Sequence, residues 1–101
     1  MTEHRLQLEC IAYFRNEFER KGKGVIIPVV NEATYKNRNF EICKGASDLI
    51  LVLPSRTIFC ELKTAKGIQS NSQKEFESKV SILGYKYVII RSLEQFKNLL
   101  L

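Results

Sequence analysis

The stretch KGASDLILVLPSRTIFCELKTAKGIQSNSQ, residues 44–73, limits what this chain can fold into more than any other part of it. Ser47 to Leu53 is an apolar run with an acid, Asp48, near its start. Thr57 to Lys63 is a second β-rich run that ends Glu61-Leu62-Lys63, and Pro54-Ser55-Arg56 lies between the two. Such runs around a turn read as two paired strands. Side chains alternate across a sheet, so parity decides whether Asp48 can meet Glu61. They meet only if the turn holds an even number of residues, such as Pro54-Ser55 between Leu53 and Arg56. A three-residue turn puts the acids on opposite faces unless a bulge intervenes. Glu61 and Lys63 share a face with Phe59, whereas Ile58, Cys60 and Leu62 point the other way, into a core.

The remaining chain reads as support for this hairpin. Residues 2–21 read as a helix, with Leu6, Cys10, Phe14 and Phe18 recurring at every fourth position and Ile11 beside them. Thr2 is its candidate N-cap, and Gly22 and Gly24 stop it. Arg20, Lys21 and Lys23 make a basic corner. Val25 to Val30 reads as a strand, and Pro28 assigns it to a sheet edge or marks its end. Asn31 to Lys44 is polar and reads as a loop, with room for a short helical turn. After the Gly-containing loop Thr64–Gln69, Ser70 with Gln73 forms a capping box. The helix it opens runs to about Leu83 and carries a Phe76, Val80, Leu83 stripe. Gly84 ends it. Tyr85 to Arg91 reads as a buried strand. Ser92 with Gln95 reads as a second capping box, opening a last helix whose Leu93, Phe96, Leu99 and Leu100 pack inward. The order α-β-β-β-α-β-α, with a helix between the third and fourth strands, allows a parallel crossover and hence a mixed α/β sheet flanked by helices.

With 101 residues, 45% of them hydrophobic, the chain suits one domain, residues 1–101, with one core. A domain of this size buries only roughly 60–65% of its unfolded surface, so a homodimer that adds buried area is in keeping with it. No apolar run approaches the roughly 20 residues of a membrane span, and MTEHRLQLEC lacks the apolar segment of a signal peptide. Cys10, Cys43 and Cys60 are an odd, scattered set without a Cys-x-x-Cys, which argues against disulfides and zinc and for a reducing cytosol. Cys10 and Cys60 fall on apolar faces as small core residues. A formal charge of +5 favours a polyanionic partner, although an ordinary basic protein has the same balance.

Magnesium takes oxygen ligands, commonly one or two carboxylates with water and substrate phosphate. Asp48 and Glu61 could supply those carboxylates. A lysine on the same face, Lys63, is a compact charge able to contact a phosphate, orient the attacking water and stabilise developing charge. A solvated Glu-Lys pair on a strand accounts for the same residues, and Glu-x-Lys alone is common. Gln73 follows in the first helical turn, where capping by itself explains it. Glu3 stands three, four and seven residues before Leu6, Gln7 and Cys10. That spacing places it at the head of the inward stripe, where a carboxylate needs a partner. A frayed N-terminal acid on the helix dipole is the alternative. Glu9 is set away from the stripe, and His4 reads as exposed. Together these residues point to a metal-dependent phosphodiesterase.

The same residues carry a resemblance to a known family. Glu3-x-x-Leu6-Gln7-x-x-Cys10 with Tyr13-Phe14-Arg15, Ile27-Pro28 before Asn31, and Gly45-x-x-Asp48-Leu49 match three of its motifs. Phe59-x-Glu61-Leu62-Lys63, then Gly67-x-Gln69-Ser70-x-x-Gln73-Lys74-x-Phe76, match its catalytic strand and the helix after it. Gly84-Tyr85-x-Tyr87 with Arg91-Ser92 matches its final strand. Over nearly its whole length the chain thus resembles the virus-type replication-repair nuclease (VRR-NUC) domain of the PD-(D/E)xK nuclease superfamily, in its stand-alone phage and bacterial form. It departs from that pattern after Pro28, where Val29-Val30 precede Asn31 and a short loop lacks the usual Gly-rich continuation.

The resemblance implies a restriction-endonuclease-like core, α-β-β-β-α-β, with a C-terminal helix. It implies that Asp48, Glu61 and the main-chain carbonyl of Leu62 bind Mg²⁺ or Mn²⁺, that Lys63 acts on nucleophile and phosphate, and that Gln73 and Glu3 complete the site. The expected activity is structure-selective cleavage of branched DNA, Holliday junctions included, by a homodimer in the cytoplasm of a bacterium or a phage-infected host. The alternatives are a DNA-binding module of the same fold without turnover, and a nuclease for single-stranded DNA or RNA. Residues expected to touch nucleic acid are Lys44 and Lys66, which flank the site, with Asn31, Lys36 and Arg38; Lys21 and Lys23 are further candidates. Phosphate contacts of this kind give strong salt dependence and little sequence preference. Leu99-Leu100-Leu101 and the first helix are candidate dimer surfaces.

Overall fold

Seven helices and strands follow in the expected order in the computed structural model, which describes residues 1–29 and 45–101. They are α1 (Glu3–Phe14), β1 (Val25–Pro28), β2 (Leu49–Leu53), β3 (Arg56–Leu62), α2 (Asn71–Ile82), β4 (Lys86–Ile90) and α3 (Leu93–Leu99). Asn31, Lys36, Arg38, Cys43 and Lys44 lie outside the described residues. Among those described, no helix is long and apolar enough to cross a membrane.

Thr2 caps α1 by accepting the Arg5 amide at 3.0 Å, and Leu6, Cys10 and Phe14 are its buried stripe. The sequence predicts one helix to residue 21. Instead α1 widens into a π-helical segment, Arg15–Glu19, in which the Arg20 amide donates five residues back to the Arg15 carbonyl. The wider turn keeps Phe18 near the stripe, where its ring stacks on Phe14 at 5.0 Å. No sequence rule for period 3.6 registers that shift.

The sheet order is β1-β2-β3-β4. β1 and β3 flank β2 antiparallel, and β4 lies parallel to β3 after the crossover through α2. β1 is an edge strand, and Pro28 is its last residue, pairing with Leu49. Leu53 pairs with Arg56, so the turn is Pro54-Ser55 alone, and Ser55 adopts φ 62°. Proline followed by a positive-φ residue is the type II pattern. The even turn gives Leu49 opposite Cys60, and one step further brings Asp48 across from Glu61.

One sheet face holds the core. Ile26, Leu49, Leu51, Ile58, Cys60, Leu62 and Ile90 pack against Leu6, Cys10 and Phe14 of α1 and Phe96 and Leu100 at the C-terminus. Burial pushes both the Cys10 and Cys60 thiols up to about 12, which keeps them protonated and inert.

Three expectations need correction. β4 is only half-buried, Ile90 being its one fully buried residue, because it is the other edge of the sheet. Leu83 does not pack; it ends α2 and is exposed with Ile82. Ser92 accepts the Gln95 amide, but the Gln95 side chain reaches past it to the Arg91 amide at 2.8 Å, so the box is half formed.

Candidate active site

The opposite sheet face carries the acids and the lysine singled out in the sequence. Alternation along β3 puts Phe59, Glu61 and Lys63 there. α2 lies over this face, its Phe76 edge-on to Phe59 at 5.6 Å. What brings the first turn of α2 so close is Gly45. Its φ is 79°, and a Cβ at this position would collide with the Ser72 backbone and come within 2.8 Å of the Gln73 nitrogen. Only glycine allows the chain entering β2 to run under that turn.

Asp48 ties three strand ends together. Its carbonyl accepts the Val29 amide at 2.9 Å, just beyond β1. Its Oδ2 accepts the Leu62 amide at 2.7 Å, at the end of β3. Its carboxylate is therefore fixed beside Glu61.

Glu61 is a buried acid, 2% exposed. Gln73 Nε2 donates to its Oε2 at 2.8 Å, Lys63 Nζ stands 3.9 Å from the same oxygen, and the Tyr87 hydroxyl donates to Oε1 at 3.5 Å. Its pKa is pushed up to about 8, mainly by burial and then by the adjacent Asp48 charge and hydrogen bond; Lys63 pulls it down and Glu3 adds a small push upward. Two adjoining carboxylates, one buried and held protonated into the neutral range, are a pair that a bound cation would help to ionise together. Among the described residues no cluster of three or more His, Cys, Asp or Glu exists. Asp48 and Glu61 are the two carboxylates that could hold a hard cation here.

Gln73 performs both roles open to it. Its Oε1 accepts the Ser70 amide at 2.8 Å and its backbone donates to Ser70 Oγ at 3.2 Å, completing the capping box. Its Nε2 is then left pointing at Glu61. Glu3 departs from expectation: it is exposed at the start of α1, and its influence on Glu61 is the weakest of the named causes. The inward stripe begins at Leu6, one turn later. Lys66 is exposed in the loop after β3.

Sequence reasoning missed Tyr87 and Gln69 as members of this network. Gln69 Nε2 bridges Glu77 Oε1 at 3.0 Å and the Tyr87 hydroxyl at 3.4 Å. The sheet register supplies the reason. β4 pairs parallel with β3, Tyr87 against Phe59, so a tyrosine of that parity shares the face of Glu61.

The solved structures similar to this chain include one described as a VRR_NUC domain, at 22% identity and TM-score 0.68, covering 99% of this chain and 96% of that one. Another, a VRR_NUC domain protein, has 16% identity and TM-score 0.75, covering 99% of this chain and 85% of that one. No family model matches the chain, and no curated protein does. At these identities the likeness defines the fold: a mixed four-stranded sheet flanked by helices, in the arrangement of VRR-NUC domain structures.

Proposed function

We propose that this chain is a VRR-NUC nuclease that hydrolyses phosphodiester bonds in branched DNA, Holliday junctions included, using Mg²⁺ or Mn²⁺ and acting as a homodimer. The observation that carries the reading is the fixed Asp48 carboxylate beside buried Glu61, with Lys63 Nζ 3.9 Å from Glu61. Asp48 and Glu61, with the Leu62 carbonyl, would hold the metal. When bound, it supplies charge neutralisation and Lewis-acid polarisation of the phosphate. The Leu62 amide fixes one oxygen of Asp48, and Gln73 fixes one oxygen of Glu61, so neither acid must reorganise as the phosphate arrives. The Lys63 ammonium contacts the scissile phosphate, orients the attacking water and offsets charge on the phosphoryl oxygens. Lys66 contacts the phosphate backbone, and we assign the same role to Asn31, Lys36, Arg38 and Lys44.

The test is cleavage of a synthetic four-way junction by purified protein. Cutting with Mg²⁺ or Mn²⁺ is expected, and EDTA is expected to stop it. Asp48→Ala and Lys63→Ala are each expected to lower the rate by roughly 10²–10³-fold or more, the scale of losing one charge-stabilising group. Undiminished cleavage by either variant overturns the assignment. A single-strand and RNA panel separates the substrates, and sedimentation as a monomer at all concentrations removes the dimer.

A further inference from the structure

Lys63 poses a problem that the two carboxylates do not solve. A lysine side chain is rich in rotamers and has no fixed fork by which to be gripped. Its Nζ is nevertheless held with only 11% of the side chain exposed, and its nearest acid among the described residues is 3.9 Å away, too far for a tight hydrogen bond. The confinement comes from its stem. The chain turns back at Thr64–Gly67, closed by the Gly67 amide donating to the Thr64 carbonyl at 3.1 Å. Gly67 is thereby laid on the lysine: a Cβ there would stand 3.3 Å from Lys63 Cδ and 3.4 Å from its Cβ.

A surface turn this short has little to hold it in place. Here its outward carbonyls converge on one atom. Arg91 Nη1 donates to the Thr64 carbonyl at 2.7 Å, to Gly67 at 2.8 Å and, more weakly, to Ala65 at 3.4 Å. Arg91 is anchored in turn. Its amide donates to Gln95 Oε1 at 2.8 Å, and Gln95 Nε2 donates to the Ile89 carbonyl at 2.8 Å. The base of the clamp is therefore the junction of β4 with α3, which is packed into the core through Phe96.

We propose that Arg91 is a positioning residue of the candidate active site: by gathering the carbonyls of the 64–67 turn it presses Gly67 onto the Lys63 stem and sets where the ammonium stands. It touches no reacting atom and acts only through Lys63. The inference deepens the nuclease reading and rests on it for its catalytic consequence, but the clamp itself is readable without any turnover. Lysine would be a poor replacement, since its shorter stem stops the ammonium short of the point where Nη1 meets the carbonyls.

Two measurements on the full chain test the clamp. The first is brief acetylation with acetic anhydride, followed by mass spectrometry. Lys63 is expected to react slowly in the parent protein and about tenfold faster in Arg91→Ala, on the scale by which a loosened stem exposes the amine. Lys97, whose ammonium lies over the Tyr13 ring, is expected to keep its rate, which separates loosening from unfolding. The second is junction cleavage. Arg91→Ala is expected to lower kcat by roughly tenfold or more with KM little changed, as misplacing one group does. Free guanidinium at non-denaturing concentration is expected to restore part of the rate, Arg91→Lys to restore little, and Glu94→Ala to change nothing. An unchanged Lys63 acetylation rate in Arg91→Ala overturns the proposal, whether or not the protein cleaves DNA. An active parent whose Arg91→Ala variant keeps its kcat overturns it as well. An inactive parent with a loosened Lys63 in Arg91→Ala would overturn the nuclease reading alone and support the clamp.

Discussion

The two faces of the sheet are built of different material. The face under α1 and α3 is close-packed Leu, Ile, Cys and Phe, and its two buried thiols are held protonated. The face under α2 carries a buried Glu61, a nearly buried Lys63 and half-buried aromatic rings, and α2 itself contributes Val80 as its one buried residue. Apolar burial stabilises, whereas an ionisable group brought out of water costs free energy unless it is paired. One face therefore holds the fold, and the other spends part of that stability on a constellation of charges. If the division is real, substitutions on the two faces should separate stability from activity.

The largest expected effect on stability lies on the packed face. Phe14 is fully buried, stacked on Phe18 and 6.5 Å from Phe96. Phe14→Ala is expected to cost about 3–5 kcal/mol, measured by urea unfolding, a large share of a typical domain's 5–15 kcal/mol. The folded fraction should keep its specific activity. Lys63→Ala is the mirror image: activity lost, unfolding midpoint nearly unchanged. A Lys63→Ala protein that unfolds as readily as Phe14→Ala would erase the distinction between the faces.

Next in size is Gly45→Ala, which couples the two. The added methyl meets the backbone of the first turn of α2, and the left-handed φ adds strain. About 1–3 kcal/mol of stability should be lost. Because the same turn carries Gln73, cleavage should fall by more than the unfolded fraction explains. Equal losses in both would mean that Gly45 serves only the fold.

Much of this arrangement was legible beforehand, and the reasons are local. Leu6, Cys10 and Phe14 announce α1 by period, Ser70 and Gln73 announce α2 by capping, and the hairpin carries a parity condition, an even turn, that Pro54-Ser55 meets in the structure. Those signals depend on neighbours in sequence. What the sequence concealed depends on neighbours in space. The π-helical widening at Arg15–Glu19 changes no residue type, and Glu3 is exposed although it leads the Leu6 stripe. Tyr87 joins Glu61 only once β4 is known to run parallel to β3 in this register. Arg91 is an unremarkable arginine until the 64–67 turn is folded beneath it.

A smaller effect should follow pH on the metal-free protein. The folded-state pKa of Glu61, about 8, lies above its ordinary value of 4.5. The folded state therefore holds the proton more tightly than the unfolded chain does. The stability this supplies is complete below about pH 4.5 and is lost as pH rises through about 8. The melting temperature should fall across that window in EDTA, and Glu61→Gln, which cannot ionise, should flatten the fall by about 1–2 kcal/mol at the alkaline end. Mg²⁺ or Mn²⁺ should restore the parent protein there and leave the variant unmoved. A parent protein equally stable at pH 5 and 8 would mean that Glu61 is ionised throughout.

The smallest difference separates the two roles of one residue. Ser70 and Gln73 cap α2 reciprocally, and Gln73 also donates to Glu61. Ser70→Ala removes a cap acceptor and is expected to cost about 1 kcal/mol. It leaves the Gln73 amide free to keep its bond to Glu61, so cleavage by the folded protein should be close to that of the parent. Gln73→Ala removes the other half of the cap, at a similar or smaller cost, but also strips a buried carboxylate oxygen of its donor. Its kcat should fall well beyond that of Ser70→Ala while the two melt within a few degrees of each other, as a loss near 1 kcal/mol implies. Gln73→Glu sharpens the point further. A glutamate keeps an acceptor for the Ser70 amide and so preserves the capping box, but it brings a third carboxylate to Asp48 and Glu61. If capping were all that Gln73 does, Gln73→Glu would behave like the parent. If the amide serves Glu61, Gln73→Glu should be destabilised in EDTA by like-charge repulsion and should recover on addition of a divalent cation, a response that a purely structural cap has no means of producing.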